Sequence, residues 1–199
     1  VVRIISGECR GRKLRTLRGR EVRPTSDRAK ETLFDILGDR VAGSRFLDLF
    51  AGSGSVGLEA ASRGAAEVVL VEGAPSAFRI LQKNLRDCRL SGKVLSLCAD
   101  SQESLCTLAN QGKSFDLIFL DPPYQDWASY AVIDLIGRTG LLASGGILIA
   151  EHDGRHALAV GYGSLVQVRR KNVGDTVFTF FERRKDATDT ENCSLSRKF

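Results

Sequence analysis

With 199 residues and 43% hydrophobic composition, the chain is sized for one α/β domain and is too short for two full ones. Its net charge of +5 is uneven: residues 1–30 carry ten Lys/Arg against three acids, leaving −2 for the remainder, so a basic arm suited to a polyanion, or else a solvated charged face, sits on a near-neutral body. Five cysteines without C-x-x-C or metal-ligand spacing argue for a reducing cytosol, and the absence of a membrane-length apolar run or a secretory-type N-terminus predicts a soluble, cytoplasmic protein.

The first segment, Val1 to Leu17, sets β-branched residues before Gly7 and Gly11 among arginines, a pattern that predicts a twisted hairpin too polar to join a core. Arg23-Pro24-Thr25-Ser26-Asp27 closes the arm. Thr25 or Ser26 is the expected N-cap of a helix running to Leu37, with Ala29, Leu33, Phe34 and Leu37 at helical spacing. From Arg45 onward, short apolar runs alternate with helical patterns, which predicts βαβ units and a mostly parallel sheet. The expected strands are 45–50, 67–72, 93–98, 115–120 and 145–151, and the expected helices 55–63, 75–90, 101–111 and 127–139. Residues 164–170 and 176–183 read as two further strands around a turn at Asn172-Val173-Gly174-Asp175, closing the sheet antiparallel. Beyond Lys185 the polar tail lacks apolar periodicity and is expected to be disordered.

Phe46 to Gly57, FLDLFAGSGSVG, is the organising stretch: a buried strand, a glycine-rich turn and a helix start. Gly52, Gly54 and Gly57 fit G-x-G-x-x-G, alone only a hint of a nucleotide site. Asp48 makes it specific. A carboxylate beneath this turn would repel a pyrophosphate, but it would attract the ammonium and sulfonium of S-adenosylmethionine, which carries no phosphate. A methyl donor is therefore favoured over NAD. Glu72 ends the second strand twenty residues after Gly52, where an acid can accept both ribose hydroxyls. Asp100, just past the third strand, either meets the adenine or caps the next helix.

Asp121-Pro122-Pro123-Tyr124 directly follows the buried strand Phe115 to Leu120, at the sheet end where ligands collect. Two prolines fix the backbone and remove two donors, leaving a rigid row of acceptors. The Asp121 carboxylate and Pro122 carbonyl could hold an exocyclic amine in line with a methyl carbon, while Tyr124 stacks on the base. His152 and His156 lie four apart across Gly154 with no third ligand, and the transfer needs no metal. Trp127 is read as a core anchor of the following helix more than as a wall of the base pocket.

On these residues the chain resembles the bacterial RsmD-type methyltransferases, which modify the N2 amino group of a guanine in 16S ribosomal RNA. The resemblance spans residues 3 to about 185. It is carried by RIISGECRGRKL at 3–14, RPTSDRAKETLFDIL at 23–37, LDLFAGSGSVGLEAASRGA at 47–65, VEGAP at 71–75 and FDLIFLDPPY at 115–124. The first two blocks are the discriminating ones, because the glycine turn and DPPY also occur in DNA adenine methyltransferases.

The resemblance implies a Rossmann-like α/β methyltransferase fold, a seven-stranded mostly parallel sheet with one antiparallel strand, preceded by an N-terminal hairpin and helix. It implies donor contacts through Asp48, Phe50, Ala51, Gly52, Ser53, Gly54 and Glu72, with Asp100 beside them, and catalysis at Asp121, Pro122, Pro123 and Tyr124. S-adenosyl-L-methionine would be the cofactor and S-adenosyl-L-homocysteine the product, with no metal. Residues 1–40 would form the RNA-binding extension, with Arg3, Arg10, Arg12, Lys13 and Arg23 on phosphates; 41–185 the catalytic domain; 186–199 a tail. The expected partner is 16S ribosomal RNA, free or within a small-subunit assembly particle, for a monomer with no membrane partner. The rival readings are a DNA adenine-N6 or protein-glutamine methyltransferase, a non-enzymatic RNA-binding ribosome assembly factor, and a nicotinamide oxidoreductase, which Asp48 disfavours.

Overall fold

The computed structural model of the chain describes residues 2–16, 26–122, 130–155 and 157–184, so the tail expected beyond Lys185 lies outside the described residues. At the start, Val2 to Lys13 fold back on themselves: the Ile4 and Leu14 amides donate to Arg12 and Val2 carbonyls, and Arg3 bridges Lys13 antiparallel. This is the expected hairpin, with one difference. Ile4 and Leu14 are buried in the main core, because a two-residue apolar face suffices when the rest of the hairpin stays wet.

Helix α1 (Asp27–Leu37) begins at the Ser26 cap, whose hydroxyl accepts the Ala29 N–H at 3.1 Å, and it buries Ala29, Leu33, Phe34 and Leu37. Lys30 is buried with them, so it does not belong to the basic surface. A short 3-10 turn, Gly38–Arg40, leads to β1 (Arg45–Asp48), α2 (Ser55–Ser62), β2 (Glu67–Val71), α3 (Pro75–Cys88), β3 (Val94–Leu97), α4 (Ser101–Asn110) and β4 (Phe115–Leu120). Then come α5 (Ala131–Arg138), β5 (Leu142–Asp153), β6 (Gly161–Tyr162), β7 (Leu165–Val173) and β8 (Thr176–Arg183).

These strands make one sheet in the order β3-β2-β1-β4-β5-β8-β7-β6. The pairs β3–β2, β2–β1, β1–β4 and β4–β5 are parallel, while β8 runs antiparallel to β5 and β7, and β6 antiparallel to β7. The seven expected strands are joined by β6, a Gly-Tyr pair too short to carry a strand signal, so two strands rather than one run against the rest.

Side chains alternate across the sheet and sort into two layers. One face presents Phe46, Leu70, Phe119, Ile149, Phe178 and Phe180 to the arm and α1, α2 and α3. The other presents Leu47, Val71, Leu120 and Leu148 to α4 and α5. Residues buried on both faces explain why the central strands read as continuous apolar runs. No helix among the described residues is long and apolar enough to cross a membrane.

Candidate active site

The glycine turn is held from beneath by its neighbours. The Leu49 amide donates to the Phe119 carbonyl at 3.0 Å and the Ala51 amide to the Val71 carbonyl at 2.9 Å, so the loop leaves β1 pinned to both flanking strands. Gly54 caps α2 at φ +84°, and a Cβ there would lie 2.4 Å from Leu81 Cδ1. At Gly57 a Cβ would lie 2.1 Å from Leu70 Cδ2 and 3.3 Å from Asp48 Oδ2, so helix and strand meet only because the side chain is absent. Gly52, at φ +55°, faces open space instead. Ala51 is buried in the layer of α1 to α3, half-buried Phe50 packs on the opposite layer, and the Ser53 carbonyl accepts the Asn84 side-chain amide at 2.8 Å.

Asp48 lies at the carboxyl end of β1 and is only 1% exposed. Its Oδ2 accepts the Gly57 N–H at 3.1 Å, while Oδ1 is buried with no hydrogen-bond partner. Burial pushes its pKa up to about 7; the Glu72 and Glu151 carboxylates add to the rise, and amide donors at Gly57 and Phe50 oppose it. Glu72 bridges two loops, with Oε2 accepting the Gly52 amide and Oε1 the Ala74 amide, both at 2.7 Å. Asp100 is the N-cap of α4: its Oδ1 accepts the Gln102 and Glu103 amides at 2.8 and 3.2 Å, the helix-capping alternative of the two open for it.

Asp121 and buried Pro122 follow β4 directly. Asp48 pairs with Phe119 and Leu120 with Ala150, so Asp121 emerges beside Glu151 on the sheet face that carries Asp48. The Asp121 carboxyl is held well above the ordinary carboxylate range, first by burial, then by the charges of Glu151 and Asp48. Three carboxylates from neighbouring strands therefore meet at one edge of the sheet, an arrangement that favours a cation and N–H donors over any anion. Pro123, Tyr124 and Trp127 lie outside the described residues.

Glu151, 1% exposed, escaped the sequence reading. Its signal was available, since an acid closing the apolar run Ile147 to Ala150 falls at the same strand end as Asp121. Asn84 and Glu59 were missed too, and both tie the arm to the glycine turn. Asn84 exchanges hydrogen bonds with the Arg15 backbone on one side and reaches Ser53 on the other. Glu59 accepts the Ile5 and Ser6 amides and pairs with Lys30 and Arg63. Lys30 Nζ in turn donates to the Arg3 carbonyl at 2.6 Å and to Ser55 Oγ at 3.2 Å, at the first residue of α2. Such side-chain pairings across 25 to 69 residues leave no local pattern.

Arg10, Arg12 and Lys13 are exposed on the hairpin, and Arg3, also exposed, pairs with Asp27 at 3.2 Å. Arg23 and His156 lie outside the described residues. His152 is buried, its ring nitrogens meeting the Asp153 carbonyl at 2.9 Å and Thr179 Oγ1 at 2.8 Å.

Residues 2–182 match the family described as Conserved hypothetical protein 95. The ribosomal RNA small subunit methyltransferase D of Escherichia coli strain K12 is 32% identical, with 92% of this chain and 90% of that protein covered. A solved hypothetical protein of Thermus thermophilus is 35% identical and superposes with a TM-score of 0.80, covering 92% of this chain and 99% of its own. A SAM-dependent methyltransferase structure from Agrobacterium tumefaciens, 17% identical with a TM-score of 0.62 over 84% of this chain and 65% of its own, is similar in fold.

Proposed function

The chain belongs to the family of RsmD-type rRNA methyltransferases, and from that premise we propose that it methylates the exocyclic N2 amino group of a guanine in 16S ribosomal RNA, with S-adenosyl-L-methionine as donor. The observation that carries the reading is the pairing, on one face and one edge of the sheet, of the partnerless Asp48 oxygen with the Asp121-Pro122 acceptors. S-adenosylmethionine supplies an electrophilic methyl on an already cationic sulfur and departs as neutral S-adenosylhomocysteine, so the transfer calls for no metal.

The residues divide the work. Asp48 offers its free oxygen to the donor's positive end, and the turn Phe50, Ala51, Gly52, Ser53 and Gly54 brings backbone close to it. Each Glu72 oxygen retains a lone pair for a ribose hydroxyl beyond the amide it already holds. Asp100, with Oδ1 committed to the cap, borders the nucleoside with its remaining oxygen. Asp121 and the Pro122 carbonyl accept the two N–H groups of guanine N2, and this aligns the nitrogen lone pair and gives the departing proton a carboxylate to reach. By the sequence expectation, Pro123 withholds a backbone donor and Tyr124 stacks on the base. Residues 1–40, through Arg3, Arg10, Arg12, Lys13 and Arg23, grip phosphates and 41–185 carry the chemistry. The enzyme acts as a cytoplasmic monomer on rRNA, either free or within a small-subunit assembly particle.

The test is to supply the protein with isotope-labelled S-adenosylmethionine and unmodified 16S RNA, naked or in particles, and to identify the product nucleoside by mass spectrometry. N2-methylguanosine is the expected product. N6-methyladenosine, a labelled protein, or RNA binding without transfer would overturn the reading. In the same assay Asp121→Ala should lower turnover by at least about 100-fold, the scale of losing one group aimed at the transition state, with donor affinity within about twofold of the parent. Undiminished turnover would remove Asp121 from the mechanism.

A further inference from the structure

Strand β7, LVQVRRKNV, carries a feature that the methyl-transfer site does not absorb. Val168, Arg169, Arg170, Lys171 and Asn172 are all exposed, although β8 pairs with β7 along nearly its whole length. The other edge is covered by β6 only at Leu165 and Val166, so among the described residues the cationic stretch borders open space.

Register fixes where these cations point. Asp48 pairs with Phe119, Phe119 with Ile149, Ile149 with Phe180 and Phe180 with Arg169, one row across five strands. The next row toward the carboxyl edge on that face runs from Glu151 through Phe178 to Lys171, with Asp121 beside Glu151. The guanidinium of Arg169 lies 5.9 Å from the Phe180 ring centre, which fixes it to this face. Arg170 alternates to the opposite face, in register with Thr179.

Helix α1 brings the base of the arm, at Arg3, to the same rim. Its Lys30 meets Ser55 at the carboxyl edge of the sheet, whereas Arg40 beyond its other end meets the Gly145 carbonyl near the amino edge, and α1 lies against β7. Many surface cations elsewhere are matched with acids, among them Arg45 with Asp116, Lys93 with Glu8 and Lys113 with Glu67. Arg169, Arg170 and Lys171 take part in no ion pair among the described residues.

We propose that β7 is a second RNA-phosphate surface, in which Arg169 and Lys171 hold the backbone of nucleotides flanking the target base while that base occupies the Asp121 pocket. At about 4.8 Å per strand, β7 stands roughly 14 Å from β4, a span that a few nucleotides of extended RNA cover. The RNA then lies across the rim, gripped by the base of the arm at one end and by β7 at the other. Exposed cations on an edge strand can also serve only to block edge-to-edge aggregation, and the experiment separates these roles. The inference rests on the rRNA-methyltransferase reading.

The test uses the full chain with Arg169→Glu and Lys171→Glu combined, against Arg170→Glu alone. Binding to an unmodified 16S RNA fragment is measured across a salt series, together with kcat and KM. The double variant should bind about tenfold more weakly at moderate salt, and its log–log salt slope should be shallower by about 1.4, the single-strand value for two phosphates. KM for RNA should rise while kcat and donor affinity hold. Arg170→Glu should leave the slope within about 0.3 of the parent, since its side chain lies on the other face. An unchanged slope in the double variant, or an equal loss from Arg170→Glu, would overturn the proposal and leave edge protection or a diffuse field. If charge reversal impairs folding, Arg169→Gln with Lys171→Gln reads the same slope. A parent that binds RNA through β7 yet forms no N2-methylguanosine would instead overturn the function while sparing the surface.

Discussion

Asp48 carries the tension between stability and activity in this fold. Its carboxyl sits at a pKa of about 7 against an ordinary 3.8, because burial disfavours the charge and the Glu72 and Glu151 carboxylates add to the rise. Below about pH 4 the group is protonated both folded and unfolded, and contributes nothing to the pH dependence. Between pH 4 and 7 the unfolded chain has released the proton and the folded chain keeps it, so stability falls as pH rises, by about 1.4 kcal/mol per unit; above 7 the cost is constant. Asp48→Asn keeps an acceptor for Gly57 and removes the titration. The variant's urea midpoint should match the parent's near pH 4 and exceed it by a margin worth a few kcal/mol at pH 8, while donor affinity drops at least about tenfold through loss of the opposite charge. A stability difference that does not change with pH would refute this account of the residue.

Among the elements, α2 joins the arm to the glycine turn, and its Glu59 makes the junction. Glu59 neutralises Lys30, whose own pKa is lowered by burial and pulled back up by Glu59, and it accepts two arm amides that would otherwise go unpaired. Glu59→Ala leaves a buried cation and two orphaned donors, and should destabilise the protein by about 3–5 kcal/mol, readable as a lower denaturant midpoint. Combining it with Lys30→Met should recover much of the loss, as a double-mutant cycle would report. A cost below about 1 kcal/mol would mean that the pair contributes no more than a surface ion pair. Sequence periodicity places α1 on the core through Ala29, Leu33, Phe34 and Leu37 because an apolar stripe is a local signal. It assigns Lys30 to the solvated arm because a buried charge reads as a surface one until its partner, 29 positions away, is brought beside it. Ile4 and Leu14 stay hidden for the same reason: each is a lone apolar residue among cations, and only the hairpin puts both on one side.

For the molecule as a whole, the parallel order β3-β2-β1-β4-β5 was legible because strands buried on both faces are apolar runs bounded by turns, and Asp48, Glu72 and Asp121 were legible because each closes such a run. Glu151 closes one too, at the end of the strand expected over 145–151, but the strand runs on to Asp153, so the acid lies within it and not in a loop that reads as a site. The cations of β7 were hidden because their meaning depends on register across four strands. Charge is unevenly distributed: carboxylates gather at the carboxyl edge of the sheet, and Arg10, Arg12 and Lys13 stand exposed on the hairpin that Glu59 and Asn84 fasten to the same body. If the arm grips phosphates, reversing Arg10, Arg12 and Lys13 to Glu removes up to three contacts and flattens the salt dependence of RNA binding by about 2 log–log units. The hairpin's buried anchors, Ile4, Leu14 and the Ile5 and Ser6 amides, are untouched by that change, so thermal stability and donor affinity should hold. RNA affinity that keeps the parent's salt slope would show that phosphate contact lies elsewhere, and the combination with Arg169→Glu and Lys171→Glu would then locate it, since two independent surfaces contribute additively to the slope.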